Sequence, residues 1–320
     1  MVSVESHFNN RTCSFEELPN LIAIESYIGC NLRCEMCPVP STNEAMSERK
    51  YSAMSLETYT RIIDQISDKA RNINLTQLGE PLLNRNIVEF VAYAKSFNHF
   101  VSLTTNGTKL TPELSSRLLS AGLDQIVFSF DGGTSETYES IRKGASFEKV
   151  LSNIENFLEL NKSCLVQIHC ILSDLTEPEK DKIHDLWKGK ARLDFIPLDD
   201  WGGQFKLDAK FGNKKTLSQS DHRYPCDLLW TSMTISAEGR LMYCCHDYNL
   251  YSQLPSVLEK PLKDIWREDV GRERQKHVSG KIDSLPCLSC QAWITRPEYI
   301  EKKKSVWQRV LKKLNNLVSN

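Results

Sequence analysis

The sequence predicts an α/β fold built on a parallel sheet, closed or partly closed into a barrel. Three observations carry this. Six strand-like apolar runs recur within the first two hundred residues. Helix-periodic segments separate them, the rhythm expected of repeated βα units. The chain, at 320 residues, is long enough for one large barrel with an appendage or for two ordinary domains.

The runs are LIAIES (21–26), INLTQ (73–77), FVSLTT (100–105), QIVFSF (125–130), LVQIHCIL (165–172) and LDFIPL (193–198). Each is rich in the branched and aromatic residues that suit a pleated surface. Between them lie SLETYTRIIDQISDKA and SFEKVLSNIENFLEL, periodic at helical spacing and each opened by a serine able to cap it, Ser55 and Ser146. In a parallel sheet of this kind chemistry belongs at the carboxyl ends of the strands. After a polar, glycine-bearing connection the rhythm breaks. SMTISAEGRLMYCC (232–245) reads as a β-hairpin turning at Gly239, a helical piece follows near LKDIWREDVGRERQKH, and PCLSC ends the segment. The expected division is an N-terminal extension (1–19), a barrel (20–210), a small hairpin and helix domain (211–300) and a C-terminal helix (301–320).

Charge excludes more than it suggests. Forty lysines and arginines face 41 acids, so the overall balance points to no nucleic-acid partner. The first residues lack a secretory pattern, and no apolar run reaches the ~18 residues of a membrane span. The expectation is a cytoplasmic protein. Its eleven cysteines then favour metal binding over disulfides, which a reducing compartment does not preserve. Cys164 and Cys170 fall in a strand-like run and read, with Cys13, as small buried hydrophobes.

The stretch GCNLRCEMCPVP (29–40) holds Cys30, Cys34 and Cys37 in C-x3-C-x2-C spacing, directly after the first strand. A closed zinc site wants a fourth Cys or His nearby, and none follows Cys37 in the next fifty residues. Three thiolates on a [4Fe–4S] cluster leave one iron open to a substrate or cofactor.

In this loop the chain resembles the radical S-adenosylmethionine (SAM) enzymes. LGEPLLN (78–84) is similar to the family's Gly-Gly-Glu-Pro element, with Gly79, Glu80 and Pro81 matching and Leu78 in place of the first glycine. TTNGTKL and SFDGGTSETYESIRKG resemble the family's strand ends that contact the ribose and carboxylate of SAM. The resemblance implies a partial (β/α)6 TIM-like barrel and SAM contacts from Gly79, Glu80, Pro81, Thr105, Asn106, Ser129, Asp131 and Arg142. Hydroxyl, amide and carboxylate groups can hold a ribose, and a guanidinium can pair with a carboxylate. Met36 stands where many members carry an aromatic residue.

Cys226, Cys244, Cys287 and Cys290 follow as C-x17-C-x42-C-x2-C. With PLKDIW and the PCLSC ending, this resembles the SPASM/twitch extension of radical SAM enzymes, in its twitch form, which holds one auxiliary [4Fe–4S] cluster. A structural zinc site with four cysteines fits the ligand types equally well. Cys245 adjoins Cys244. If both lie on a strand they point to opposite faces, and Cys245 either packs or returns a hydrogen atom to a substrate radical, as in family epimerases. His246 and Asp247 read as solvated turn residues.

The resemblance implies reductive cleavage of SAM to a 5′-deoxyadenosyl radical, which removes hydrogen from a substrate C–H bond, the outcome being dehydrogenation or epimerisation. The one-auxiliary-cluster pattern is most similar to the aminocyclitol dehydrogenase of butirosin synthesis, so a small molecule or glycan of sugar or aminocyclitol type is the expected substrate. A peptide or protein target is the alternative, and an electron donor such as flavodoxin or ferredoxin is the implied partner. An iron–sulfur electron carrier or zinc-bound interaction protein is the alternative of another class; it needs none of the SAM-contacting stretches. The tail EKKKSVWQRVLKKLNNLVSN is a basic amphipathic helix, open to docking on its own protein or to peripheral contact with an anionic membrane.

Overall fold

The computed structural model describes residues 3–39, 49, 51–212 and 225–290. The predicted C-terminal helix lies outside the described residues. After a short α1 (Val4–Asn9) the chain runs β1 (Leu21–Ile24), β2 (Tyr27–Ile28), β3 (Ser52–Ala53), α2 (Leu56–Gln65), β4 (Asn72–Asn74), α3 (Ile87–Ser96), β5 (Phe100–Thr105), α4 (Pro112–Ser120) and β6 (Gln125–Ser129). It continues through α5 (Ser135–Ile141), α6 (Phe147–Leu160), β7 (Leu165–Leu172), α7 (Lys180–Trp187), β8 (Arg192–Pro197), α8 (Leu228–Thr231), β9 (Ser232–Ile235), β10 (Leu241–Met242), α9 (Leu262–Asp264) and α10 (Val270–Ser279). All six predicted strands are present, within a few residues of the predicted ends.

One open sheet has the order β10-β9-β1-β4-β5-β6-β7-β8. The pairs from β1 to β8 are parallel, and helices cover the outer face of this partial barrel. The hairpin corrects one expectation. It turns at Gly239 as predicted, but β9 also pairs in parallel with β1, Leu21 opposite Ser232 through Ile24 opposite Ile235. The hairpin therefore extends the barrel sheet and covers an edge of β1 that would otherwise expose unpaired backbone groups.

Side chains divide by the period of two. Val101, Leu103, Ile126, Phe128, Ile168 and Cys170 enter the core beneath the helices, beside Phe157, Ile183 and Trp187. Cys164 and Cys170 are thus buried apolar residues as expected. The intervening residues face the lumen, and many of them are polar, Asn74, Ser102, Thr104, Gln125, Ser129, Gln167, His169 and Asp194, with the apolar Val127, Ile171 and Ile196 on the same face. Ser129, His169 and Asp194 stand in one register row across β6, β7 and β8. Below them Gln125 Nε2 donates to Gln167 Oε1 at 2.8 Å, and Gln167 in turn donates to Asp194.

The two predicted caps differ. Ser55 accepts from Thr58 N at 3.0 Å, whereas Ser146 makes no side-chain cap bond. The first amide of α6, Phe147 N, is instead taken by Glu139 Oε1 from α5 at 3.0 Å. Removing a working cap costs about 1 kcal/mol. Ser55→Ala should therefore lower the denaturant unfolding free energy by about that much, and Ser146→Ala should leave it nearly unchanged.

Candidate functional site

Cys30, Cys34 and Cys37 lie beyond β2 at the carboxyl end of the parallel sheet, on a loop held from several directions. Gly79, after β4, has φ +74°. A Cβ there would meet Tyr27 O at 2.3 Å and Gly29 O at 2.6 Å, so only glycine lets the β4 loop lie against the backbone that enters the cysteine loop. The next amide, Glu80 N, donates to Gly29 O at 2.8 Å. Leu78, the departure from the family pattern, is buried beside Ile28 and Val39, with Cys30, Cys37 and Trp201 packed on the same cluster. Met36 packs with Leu32, Cys34, Ile141 and Phe211.

Glu80 is fully buried. Its Oε1 accepts from Thr105 Oγ1 at 2.6 Å and Leu82 N at 3.1 Å, and its Oε2 accepts from Asn106 N at 2.8 Å. Burial outweighs these bonds and pushes its carboxyl up to about 6. Thr105 and Asn106, at the end of β5, are thereby fixed. Asn106 Nδ2 reaches Cys30 Sγ at 3.6 Å and Asn31 Oδ1 at 3.2 Å. Pro81 opens a short 3-10 turn capped by Glu80.

On the opposite side Arg142 Nη1 lies 3.9 Å from Cys34 Sγ. Its Nε and Nη2 both bind Asp131 Oδ2 at 2.5 Å, and Asp131 Oδ1 accepts from Ile171 N at 2.5 Å. Asp131 is fully buried, so its position departs from a ribose-facing role. Both of its oxygens are used inside the chain, and it aims Arg142 at the Cys34 sulfur. Ser129 faces the lumen, half-buried.

The donor chemistry suits a cluster. Burial pushes the Cys30 thiol up to about 11 and Cys37 up to about 12, each raised further by its neighbouring cysteines. Three thiols set together, Cys34 buried and Cys30 and Cys37 half-buried, favour deprotonation only where a cationic metal centre offsets the charge. Among the described residues, the group whose donor atoms converge within 4.8 Å, as a single ion requires, is Glu273, His277 and Cys287.

The second cysteine set gathers where the hairpin and α10 meet. Cys244 is buried, and its thiol is raised by Cys245, by burial, and by Cys287 and Cys226. β10 ends at Met242, so Cys244 and Cys245 occupy a turn and the strand-alternation argument does not apply to them. Cys244 Sγ accepts from His246 N at 3.4 Å, while Cys245 is half-buried and its carbonyl accepts from Gln77 Nε2, beyond β4, at 2.7 Å. His277 Nδ1 accepts from Cys226 N at 3.2 Å. Cys290 Sγ lies 3.6 Å from His246 Nδ1. His246 and Asp247, expected to be solvated, are buried at 5 % and 0 % exposure. The long-range packing that buries them leaves no local sequence signal.

Sequence reasoning also missed a clamp on the entry to the site. Arg49 Nη2 binds Glu25 Oε2 at 2.5 Å, just past β1, and Glu238 Oε2 at 2.7 Å in the hairpin turn. Glu25 is wholly buried, and it also accepts from Ala237 N at 2.9 Å. A charged triad assembled from positions so distant in sequence has no periodic signature.

Removing one partner of a buried charge pair leaves the other uncompensated, at about 3–5 kcal/mol. Asp131→Ala should destabilise the protein by about that much in a denaturant titration. Glu80 supplies a pH test. Its folded carboxyl titrates near 6, above the ordinary 4.5. The stability linked to holding it protonated is present below pH 4.5 and lost as pH rises through 6. In the metal-free protein, Glu80→Gln should therefore gain stability relative to wild type between pH 4.5 and pH 7. A constant difference across that window would refute the assignment.

Comparison with known proteins agrees with this geometry. Residues 24–186, half of the chain, match the radical SAM superfamily, and residues 226–291 match the SPASM iron–sulfur cluster-binding domain. An AdoMet-dependent heme synthase of Methanosarcina barkeri is 33% identical over 138 residues, 43% of this chain and 38% of that protein. A GTP 3′,8-cyclase of Desulforamulus reducens is 36% identical over 145 residues, 44% and 43% of the respective chains. The alignments thus span less than half the length of these curated relatives. Among solved structures, BtrN in complex with AdoMet and 2-DOIA superposes with a TM-score of 0.56 at 18% identity, covering 87% of this chain and 94% of BtrN. Streptococcus suis SuiB bound to its precursor peptide SuiA gives 0.66 at 16% identity, covering 90% and 72%. Identities this low establish the fold alone. Among the described residues no helix is long and apolar enough to cross a membrane. The chain belongs to the radical SAM superfamily with a C-terminal SPASM domain, and its cofactors are S-adenosylmethionine, a [4Fe–4S] cluster and an auxiliary iron–sulfur cluster.

Proposed function

We propose that the protein is a radical SAM oxidoreductase that removes hydrogen from a C–H bond of a polyhydroxylated small molecule of sugar or aminocyclitol type, ending in dehydrogenation or epimerisation. Cys30, Cys34 and Cys37 hold the first cluster and leave one iron for SAM. Cys226, Cys244, Cys287 and Cys290 hold the auxiliary one. When bound, these groups supply a reducing electron and, by cleavage of the sulfonium, a 5′-deoxyadenosyl radical that takes the hydrogen.

The chain's own residues position and shield. Gly79, Glu80 and Pro81 fix the β4 loop against the cysteine loop. Thr105 bonds Glu80 and Asn106 reaches Cys30, and Asp131 holds Arg142 beside Cys34. Leu78 and Met36 cover the thiols with apolar surface and exclude water. Ser129 remains the strand-end hydroxyl able to reach a sugar or ribose oxygen.

The observation that carries the substrate class is the polar row Ser129, His169 and Asp194 in the lumen. Hydroxyl, imidazole and carboxylate groups pair with substrate hydroxyls and amines; Asp194 already accepts from Gln167 and Arg192, and an apolar substrate would leave the Ser129 hydroxyl and the His169 imidazole unpaired. BtrN, nearly all of whose chain is covered, is bound in its crystal to AdoMet and 2-DOIA, a ligand other than a peptide, which supports the first reading. SuiB, bound to a peptide, supports the second reading, a peptide target. Cys245 is a candidate hydrogen donor, since it is half-buried beside the auxiliary set. Its return of hydrogen to the substrate radical would give epimerisation, whereas transfer of the electron to the auxiliary centre would give oxidation.

Anaerobically reconstituted protein given dithionite and SAM should release 5′-deoxyadenosine, and Cys34→Ala should release none. Cys226→Ala should lose about half of the iron; zinc at that site would remove its redox role. With carbon-deuterated glucosamine or myo-inositol as probe, deuterium should enter 5′-deoxyadenosine, and His169→Ala should reduce that transfer at least tenfold, the effect of about 1.4 kcal/mol of lost positioning. Transfer from a deuterated peptide and from neither sugar would favour the second reading.

A further inference from the structure

The segment after β8, DDWGGQ (199–204), touches both cysteine sets. Trp201, Gly202 and Gly203 have φ values of 56°, 73° and 78°. Left-handed geometry suits the glycines but is costly for tryptophan, and such strain persists only where surrounding contacts impose it. Those contacts are visible. Trp201 N donates to Asp199 Oδ1 at 2.9 Å, and Gln204 Nε2 donates to Trp201 O at 2.9 Å and to His246 O at 2.8 Å. The Trp201 indole Nε1 points to Met36 O, inside the first cysteine loop, at 3.4 Å. Its ring stands edge-on to His246, centroids 6.2 Å apart.

The other side of the segment meets the auxiliary set. His246 Nε2 lies 2.8 Å from Asp199 Oδ2, and its Nδ1 faces Cys290 Sγ at 3.6 Å. Ser289 Oγ donates to Gly202 O at 3.1 Å. A Cβ on Gly202 would press on His246 Nδ1 at 3.2 Å and on Cys290 Sγ at 3.3 Å. The absence of a side chain there is what allows imidazole and thiol to meet.

We propose that the Asp199–His246 pair is a positioning element for the auxiliary centre, setting the orientation of Cys290 and through it that centre's reduction potential, with Trp201 tying the same segment to the loop of the first cluster. This rests on the assignment of Cys290 as an auxiliary ligand. Polar groups around ligand sulfurs are among the levers by which a protein sets a cluster's potential. Asp199 enters from the barrel and His246 from the hairpin turn, so the auxiliary centre is adjusted by the unit that carries the SAM chemistry.

The test is a potentiometric titration of the reconstituted full chain, followed by electron paramagnetic resonance, with iron counted in each sample. Asp199 is half exposed, side-chain accessibility 47%, so Asp199→Asn alters the pair without emptying a buried site. Asp199→Asn and His246→Gln should shift the potential of the auxiliary couple, or lose the auxiliary iron, while the first couple stays at its wild-type potential. Gly202→Ala should do the same by pushing Cys290 from His246. Wild-type potentials for both couples in all three variants would overturn the proposal. Failure of the underlying ligand assignment looks different: Cys290→Ser would then leave both iron content and both potentials unchanged.

Discussion

The buried carboxylate of Glu80 is the constraint on which the first site depends. It accepts three hydrogen bonds from two loops, while its own amide ties a third loop at Gly29. A charged group inside protein is tolerated only when its hydrogen-bonding capacity is filled, so the Glu80 pocket requires Thr105, Asn106 and the β4 turn in one arrangement. That arrangement places Asn106 beside Cys30. The cysteine loop thus inherits its geometry from the end of the sheet, as a preformed site must.

A buried ion pair repeats the device. Asp131 is anchored by the Ile171 amide and aims Arg142 at Cys34. The positive guanidinium lowers the cost of a thiolate at that position, while the Arg49 clamp joins the first strand to the hairpin turn through Glu25 and Glu238. The Arg49 clamp links segments distant in sequence, and the Asp131–Arg142 pair spans eleven residues. Each also fixes a loop whose local residues would not choose that shape.

The auxiliary region shares its sheet with the barrel. Because β9 continues the sheet beyond β1, Cys244 and Cys245 emerge from the hairpin near the barrel's own loops, and Gln77 reaches the Cys245 carbonyl directly. The Asp199–Gln204 segment closes the same gap from β8. The two cysteine sets are therefore held by one continuous scaffold, and the polar lumen opens beneath it.

The strands and the two cysteine sets were legible because each is a local pattern: alternation, helical periodicity and short spacings express themselves within a dozen residues. The same is true of the Gly239 turn and of the Ser55 cap. Tertiary structure alone decided that Glu139 displaces Ser146 at the start of α6, that the hairpin joins the barrel sheet, that Cys244 and Cys245 occupy a turn, and that His246 and Asp247 are buried. It also turned Asp131 inward onto Arg142. These outcomes follow from tertiary contacts, where burial and charge pairing outweigh local preference; even Glu139 with Phe147 and Asp131 with Arg142, eight and eleven residues apart, meet only because the fold packs their segments together.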